Sequence, residues 1–565
     1  AEFELPEART REGMGLYEFL RTPAGVYATG WPYGIVRPIA NCRKPTSTVR
    51  EPQEIELKLS LDAESMARLR QSHQLAGHAT TPLLTRRLRS VYFDTPDHRL
   101  FAVGTTLRVR RVGNTYLRTV KTGTAVTSGL STPFEHEERV KGMRVAIDAI
   151  ADRNVKDHLE TTIAGESLEA VFETRIRRAT CEVVLPGSGR VEVALDSGEV
   201  IADDQTLELS EIELELKEGA RHAILTVAEQ ILEGIQFTPS RLSKAQLGFS
   251  LVADDASDGD AATGIKYRKP DLVPEMSTAD ALREIGRAAA DQILANIDVI
   301  HAGDDPEGPH QLRVGLRRLR TALRLFRPLT DTPEMKSLAR GARELGRIAG
   351  NQRDVDVLIA DVFEPASEAI ETTKARAAMR KALEAHRQQQ RDMLRSALSD
   401  PAWNRVRLGC MLFDFSVDRA LASRHDKAAA APVVPAARTA LDHAWRKARR
   451  WGRRIDELSI AERHEMRKAL KGLRYATEFF LPLFESRDAR EFLKRLRHLQ
   501  DVFGYLNDVA LTEQLPEIIA AENGKPAQAK SAAAIQDWHR QRADKAWRDA
   551  RERWRELKAC GRFWR

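Results

Sequence analysis

Apolar and charged positions alternate along Glu54-Ile55-Glu56-Leu57-Lys58 and again along Glu211-Ile212-Glu213-Leu214-Glu215-Leu216-Lys217. Successive side chains of a β-strand point to opposite faces, so Glu54, Glu56 and Lys58 share one face while Ile55, Leu57 and Leu59 share the other. The same period of two recurs at 106–111, 116–121 and 190–196, with Gly, Pro and Asp punctuating the chain between residues 53 and about 250. This pattern predicts antiparallel strands. Two stretches have helical spacing instead: 62–75, with Met66, Leu69 and Leu75 on one side, and 220–233, with Ile224, Val227 and Ile231. An ordinary one-sided sheet mixes Thr, Ser and Gln into its wet face. Here the alternate positions are Arg and Glu again and again, which predicts a charged lumen, concentrated if the sheet curls into a barrel.

Residues 1–50 carry scattered Pro and Gly with no sustained period and read as an irregular extension. After the strand-rich stretch, 51–252, comes a small, acidic segment centred on 253–262, and 253–275 reads as a linker. From 276 to 565 apolar residues recur three and four apart, which predicts helices throughout. This half contains a duplication at an offset of 154 residues, with copies over about 276–400 and 430–555. His310-Gln311-Leu312-Arg313 recurs as His464-Glu465-Met466-Arg467; Arg317 matches Lys471, Arg320 matches Arg474, Arg343 matches Arg497, and Asp354 matches Asp508. His310, Arg313, Arg317, Arg320 and Arg324 fall on one helix face, and Leu312, Leu316, Leu319 and Leu323 on another. His464, Arg467, Lys471 and Arg474 repeat the basic face. Few acids interrupt either stripe, so two such faces related by pseudo-twofold symmetry would form a positive groove.

Charge sharpens this division. The 565 residues carry a net +7, but residues 276–565 contribute +13 and the first 275 residues −6. The helical half has the stronger attraction for a polyanion. Its tryptophans, among them Trp403, Trp445 and Trp451, do not interleave with the basic stripes as base-stacking platforms would, which argues against nucleic acid. No run approaches the ~18 apolar residues of a membrane span, and the start lacks a basic-then-apolar signal pattern. Four scattered cysteines without a CxxC pair fit reduced thiols and a cytoplasmic protein. No Ser-His-Asp or Cys-His set is evident.

Several of these residues carry a family resemblance. Glu54-x-Glu56-x-Lys58, Tyr92-Phe93-Asp94-Thr95-Pro96, Leu107-Arg108-Val109-Arg110, Lys121, the strand at 211–213 and Ser243-Lys244 resemble the CYTH domain of the triphosphate tunnel metalloenzymes. The resemblance implies an eight-stranded antiparallel β tunnel that hydrolyses triphosphates with Mg²⁺ or Mn²⁺. Glu54, Glu56 and Lys58 would be catalytic. Glu54, Glu56, Glu211 and Glu213 would hold the metal, with Asp196 and Glu135 as further acids. A triphosphate carries roughly four negative charges, so fixed cations must meet it; Lys58, Arg108, Arg110, Lys121, Arg175, Arg178 and Lys244 are the candidates. Pro133 stands where related sequences carry an Arg, and Arg118 or Arg139 are the expected substitutes. Class IV adenylate cyclase, thiamine triphosphatase and a silent tunnel that only binds polyphosphate are the alternatives.

The helical half resembles the CHAD domain, an all-α fold of two four-helix halves, through both His-x-x-Arg motifs and Arg353-Asp354-Val355-Asp356-Val357. This implies polyphosphate binding by His310, Arg313, Arg317, Arg320, Arg343, His464, Arg467, Lys471, Arg474 and Arg497, and suggests association with polyphosphate granules. The expected whole is an α+β multidomain protein: an inorganic triphosphatase with a polyphosphate-binding helical domain, its oligomeric state left open.

Overall fold

The computed structural model describes residues 54–123, 125–127, 129–253, 263–422, 427–521 and 526–565. The 1–50 extension therefore lies outside the described residues. Two compact units divide between Ala261 and Ala262.

The first unit is one antiparallel sheet. Its strands are β1 (Glu56–Ser60), β2 (Leu84–Asp94), β3 (Thr105–Val112), β4 (Thr115–Thr122), β5 (Leu130–Ser131), β6 (Phe134–Val140), β7 (Glu169–Leu185), β8 (Gly189–Ala202), β9 (Gln205–Gly219) and β10 (Thr238–Pro239). The order is β10-β1-β9-β8-β7-β2-β3-β4-β6, and β5 adds to β1. Eight strands exceed two residues, matching the eight expected from the resemblance, and β5 and β10 are short additions. The curl is drawn closed by β5: Ser131 pairs with Glu56 and Leu130 with Leu57 on one edge strand, and two residues later the chain enters β6 at the other edge. The expected strands at 106–111, 116–121 and 190–196 are β3, β4 and part of β8.

Helices α1 (Ala63–Arg70) and α2 (His73–His78) replace the single helix expected over 62–75. Ser72 explains the break, because its hydroxyl accepts from the Leu75 N–H and starts a second helix. Helices α3 (Arg99–Ala102), α4 (Arg153–Ile163), α5 (His222–Ile231) and α6 (Lys244–Val252) complete the unit. Ala223, Ile224, Val227 and Ile231 bury one face of α5. Ala245 and Phe249 of α6 pack with Tyr92, Phe172 and Val200 and fix this helix on the sheet. Gly248 allows that approach, since a Cβ there would overlap the Phe172 ring.

The second unit is helical. Its long helices are α7 (Thr278–Ala302), α8 (Glu307–Leu325), α9 (Pro333–Val357) and α10 (Thr373–Ser399), then α11 (Val433–Gly452), α12 (Ile460–Phe480), α13 (Arg487–Leu511) and α14 (Pro526–Ala559). Adding the repeat offset of 154 to α9 gives the bounds of α13, and the other three pairs agree within a few residues. Each repeat is thus four helices, and the duplication read from side chains is a duplication of folded units. Leu312, Leu316 and Leu319 of α8 share a core with Met466, Leu470 and Leu473 of α12. The apolar stripes of the two repeats are therefore buried in one core. Part of the expected linker belongs to this unit: the Gly264 N–H donates to Asp305 at 2.7 Å and the Ile265 N–H to Asn296 at 3.0 Å. Residues 254–262 lie outside the described set.

Gly248→Ala should cost about 1–3 kcal/mol of unfolding free energy, because the added methyl must push α6 or Phe172 off its packing position. Denaturant unfolding measures this, and an unchanged midpoint would show that α6 sits more loosely than the ring contact implies.

Candidate active site and basic groove

The inward positions of the strands meet in a cavity of about 490 Å³ whose lining includes Glu54, Glu56, Lys58, Arg108, Arg110, Lys121, Glu135, Arg178, Glu213 and Lys244. Strand register creates the most buried cluster. Arg178 of β7 lies opposite Asp196 of β8, which lies opposite Glu211 of β9, while Lys58 of β1 lies opposite Glu213. Lys244 reaches them from the first turn of α6, whose start is set by a capping box of Ser243 and Gln246. Its Nζ is 2.8 Å from Asp196 and 2.8 Å from Glu213, and it also contacts Glu211. Arg178 donates to both oxygens of Asp196 at 2.7 and 2.6 Å and also bonds Glu213. Lys58 bridges Glu56 and Glu213 at 2.9 Å each.

Burial opposes every one of these charges, and the neighbours decide each outcome. Burial and the adjacent Glu213 push Glu211 up to about 7 despite Lys244. Burial would raise Glu213 too, but Arg178, Lys244 and Lys58 hold it well below the carboxylate range. Lys244 is lifted above its ordinary value by Asp196, Glu211 and Glu213 against the cost of burial. Nearer the edge strands, Lys121 is 3.0 Å from Glu54 and also contacts Glu135. Burial and Glu135 push Glu54 up to about 8 against the pull of Lys121, whereas Lys121 and Arg108 hold Glu135 down at about 2 against burial. Arg108 is 3.6 Å from Glu135. Arg110 differs from the rest: among the described residues its side chain donates to the Ser90 hydroxyl at 3.1 Å and to no carboxylate. Burial, with Arg108 and Arg178 nearby, lowers it to about 10. A buried guanidinium in that state calls for an anion.

The carboxylates suit a divalent cation. Ligand oxygens of Asp196, Glu211 and Glu213 lie within 4.8 Å of one another, and Glu56 Oε2 is buried without a hydrogen-bond partner. Clustered buried carboxylate oxygens fit a hard ion of the Mg²⁺ or Mn²⁺ type. The ammonium groups of Lys58 and Lys244 now bridge the same oxygens and stand in for that positive charge.

One expected cation is misplaced. Arg175 lies on the outer wall, with its side chain 57% exposed and paired to Glu173 and Glu199. Arg175 and Arg178 are an odd number of residues apart, so a regular strand cannot aim both inward. Of the two expected substitutes at the Pro133 position, Arg118 is turned away and buried against Glu138 and the Ala146 carbonyl. Arg139 lines a neighbouring rim pocket instead. Arg86, which the sequence reading missed, lines the cavity; counting every second residue back from Tyr92 finds it. Asp94 of the Tyr92–Pro96 motif is structural, accepting from the N–H groups of Thr95, Leu100 and Phe101.

In the second unit, α8 and α12 bring the basic stripes together. Arg313, Arg317 and Arg467 lie close enough to Lys471 to depress it, with burial, to about 6. Burial and the surrounding charges lower Arg467 to about 10. Arg317, Arg320, Arg324, Arg343 and Lys471 have no carboxylate within ion-pair distance among the described residues. The remaining members are tied down. Arg313 bonds Asp354 at 2.6 Å, and Arg467 bonds Asn507 at 3.0 Å. Arg474 and Arg497 reach Glu478 at 2.9 and 3.0 Å, beside Arg318 at 2.9 Å. Glu478 occupies the repeat position of Arg324, so an acid interrupts the second stripe and the two copies differ in free charge. His310 is held down at about 4 by burial and Arg353, and burial with Lys468 and Arg467 lowers the exposed His464. Any gain of charge by these histidines on acidification begins below the ordinary range.

Comparison with known proteins agrees with both halves. Residues 52–244 match the CYTH domain and residues 284–517 the CHAD domain. The chain is a CYTH domain followed by a CHAD domain. Over 199 residues it is 30% identical to an inorganic triphosphatase of Haemophilus influenzae, covering 35% of this chain and 55% of that protein. The chain thus spans about half the length of that relative. Among solved structures, the CHAD domain of the plant Ricinus communis covers 51% of this chain and 96% of its own at 24% identity and a TM-score of 0.44. An adenylyl cyclase candidate of Hippeastrum, described as having a dominant triphosphatase activity, covers 35% of this chain and 95% of its own at 24% identity and a TM-score of 0.29.

Lys244→Met should cost about 3–5 kcal/mol of unfolding free energy, because it leaves Asp196, Glu211 and Glu213 without their shared ammonium. Added Mg²⁺ or Mn²⁺ should restore part of the loss by binding the folded state. Denaturant titrations with and without metal measure both effects.

Proposed function

We propose that the first unit is a metal-dependent inorganic triphosphatase and that the second binds polyphosphate. The observation that carries the first reading is the half-buried pair Arg108 and Arg110. Among the described residues Arg110 has no carboxylate within ion-pair distance, Arg108 Nε is buried without an acceptor, and the acid cluster lies across the same cavity. A triphosphate supplies the missing negative charge to the arginines, Arg86 and Lys121, and the acids would hold Mg²⁺ or Mn²⁺. Such an ion would supply positive charge to the phosphate and activation for an attacking water. Glu56, Glu211 and Glu213, with Glu54, would be its ligands. Lys58 and Lys244, freed from bridging those oxygens, would turn to phosphate. Among the described residues Tyr92 is the one aromatic in the lining, and it is already stacked on Phe172 at 4.4 Å. That favours a substrate without a nucleobase or thiazolium ring.

No described helix is long and apolar enough to cross a membrane, and Cys181 and Cys410 are buried free thiols. We place the protein in the cytoplasm, where polyphosphate granules would offer a substrate store.

Glu54→Gln with Glu56→Gln should reduce phosphate release from triphosphate to background, as should excess EDTA in the parent protein. Full turnover in either case would sink the triphosphatase reading.

For the helical unit, Arg317→Glu with Lys471→Glu should weaken polyphosphate binding far more than two charge reversals elsewhere. Binding should also weaken steeply with salt, through counterion release. Lys471 supplies a further readout. Its pKa in the free protein is about 6, below its unfolded value, so at pH 7–8 it is mostly neutral, and a bound polyanion would raise it again. Binding should therefore take up close to one proton per chain at that pH. Calorimetry in buffers of different ionisation enthalpy measures the uptake, and its persistence in Lys471→Met would assign it elsewhere.

A further inference from the structure

The outer wall of the sheet carries a second cationic array unrelated to the inward set. Arg111 of β3 lies opposite Arg89 of β2, and Arg89 lies opposite Arg175 of β7. The adjacent row on this face sets Arg87 opposite Arg177. Like charges placed directly opposite across strands repel, so these rows are costly to the free protein. Arg70 of α1 joins them by bonding the Ser197 hydroxyl at 3.2 Å, and burial with Arg177 lowers its pKa. The six arginines line one surface groove of about 1420 Å³.

The acids present do not balance the array. Glu173 holds Arg89 at 2.8 and 2.6 Å and also pairs with Arg175, which is 3.5 Å from Glu199. Glu208 and Asp62 line the groove as well, and Asp62 is occupied in capping α1. Arg70, Arg87, Arg111 and Arg177 have no carboxylate within ion-pair distance among the described residues.

The groove also leads into the tunnel. A rim pocket of about 860 Å³ is lined by Arg86, Arg87 and Gly113. Arg86 lines the tunnel cavity too, while Arg87 and Gly113 line the outer groove. Two adjacent residues of β2, pointing to opposite faces, thus connect the two cavities over a rim that Arg139, Glu137 and Glu138 also line, with Glu138 paired to Arg118.

We propose that this outer groove holds the distal part of an inorganic polyphosphate chain whose terminal phosphates occupy the tunnel, with Arg86 and Arg87 carrying the chain across the rim. The inference rests on the triphosphatase reading for its tunnel end. A linear polymer with about one negative charge per phosphate matches a groove in which Arg70, Arg87, Arg111 and Arg177 have no carboxylate within ion-pair distance among the described residues, and it is narrow enough to continue through the rim. A compact triphosphate fills the inner site alone and leaves the outer rows unused.

The test uses the full chain with Arg87→Gln and Arg177→Gln together, two exposed positions outside the inward set. Triphosphate kcat/KM should be unchanged, while kcat/KM for long-chain polyphosphate should fall about tenfold at low salt and lose part of its salt dependence. Equal long-chain kinetics in mutant and parent would overturn the proposal. Binding is measured separately, by anisotropy of end-labelled polyphosphate, in an Arg317→Glu, Lys471→Glu background that silences the helical groove. There the two glutamines should weaken binding and reduce the slope of log K against log salt by about one to two units. Unchanged binding would remove the groove, whatever the enzyme does. Absence of hydrolysis by the parent protein, with the binding difference intact, would sink the triphosphatase reading alone. Displacement by single-stranded DNA as readily as by polyphosphate of equal charge would overturn polyphosphate as the occupant.

Discussion

The first unit is organised around charges that have been taken out of water and must neutralise one another. Lys244, Lys58 and Arg178 are held among Asp196, Glu56, Glu211 and Glu213. Each ion alone would be prohibitive inside a sheet, and together they are tolerable because nearly every oxygen faces a nitrogen. The balance constrains the rest of the fold. β1, β7, β8 and β9 must keep their register, since a slip of one residue would turn the acids to the apolar side. α6 must lie close to the sheet to deliver Lys244, which is why Gly248 faces Phe172 without a side chain.

The same balance makes the site responsive to ligands. On the proposed reading, a divalent cation would compete with two ammonium groups for the same carboxylates, and phosphate would compete with the carboxylates for the same cations. Binding both at once would exchange one set of pairings for another and leave no ion stranded. Arg110 marks the direction of that exchange, because among the described residues its side-chain partner is the Ser90 hydroxyl and no carboxylate. The helical unit follows a related rule with less compensation: burial with Arg343, Arg317 and Arg324 nearby lowers Arg320, and burial with Arg317, Arg467 and Arg313 nearby lowers Lys471. Such crowding stores repulsion that a polyanion, on the proposed reading, would relieve.

Much of this was legible in the chain because the periods are simple. A period of two assigned most of the inward set, and a period of 3.6 with an offset of 154 found the helical duplication. The errors came from incomplete use of the same rules. Arg175 was grouped with Arg178 across an odd spacing, and Arg86 was passed over although it lies in step with Tyr92. Glu478 was missed because the repeat was compared at matching residues and not at the mismatched position of Arg324. Other features are not local at all. The pairing of Lys121 with Glu54 joins residues 67 apart in sequence, and the closing role of β5 depends on a two-residue strand. Neither leaves a period to read.

The odd and even positions of β2 show how one strand can serve two surfaces. Arg86, Leu88 and Tyr92 line the tunnel, and Arg87 and Arg89 line the outer groove. Alternation that usually separates a dry face from a wet one here separates two charged faces, each facing β7 across the same ladder. Packing cannot explain the outer arginines, since they are exposed and bury little apolar surface. Solubility does not explain them either, because interspersed signs would serve it without setting Arg87 against Arg177 and Arg89 against both Arg111 and Arg175. The proposed ligand of opposite sign, spanning the rows, would supply a physical reason for keeping like charges in register. The rim shared by Arg86 and Arg87 then lets one such ligand reach both faces.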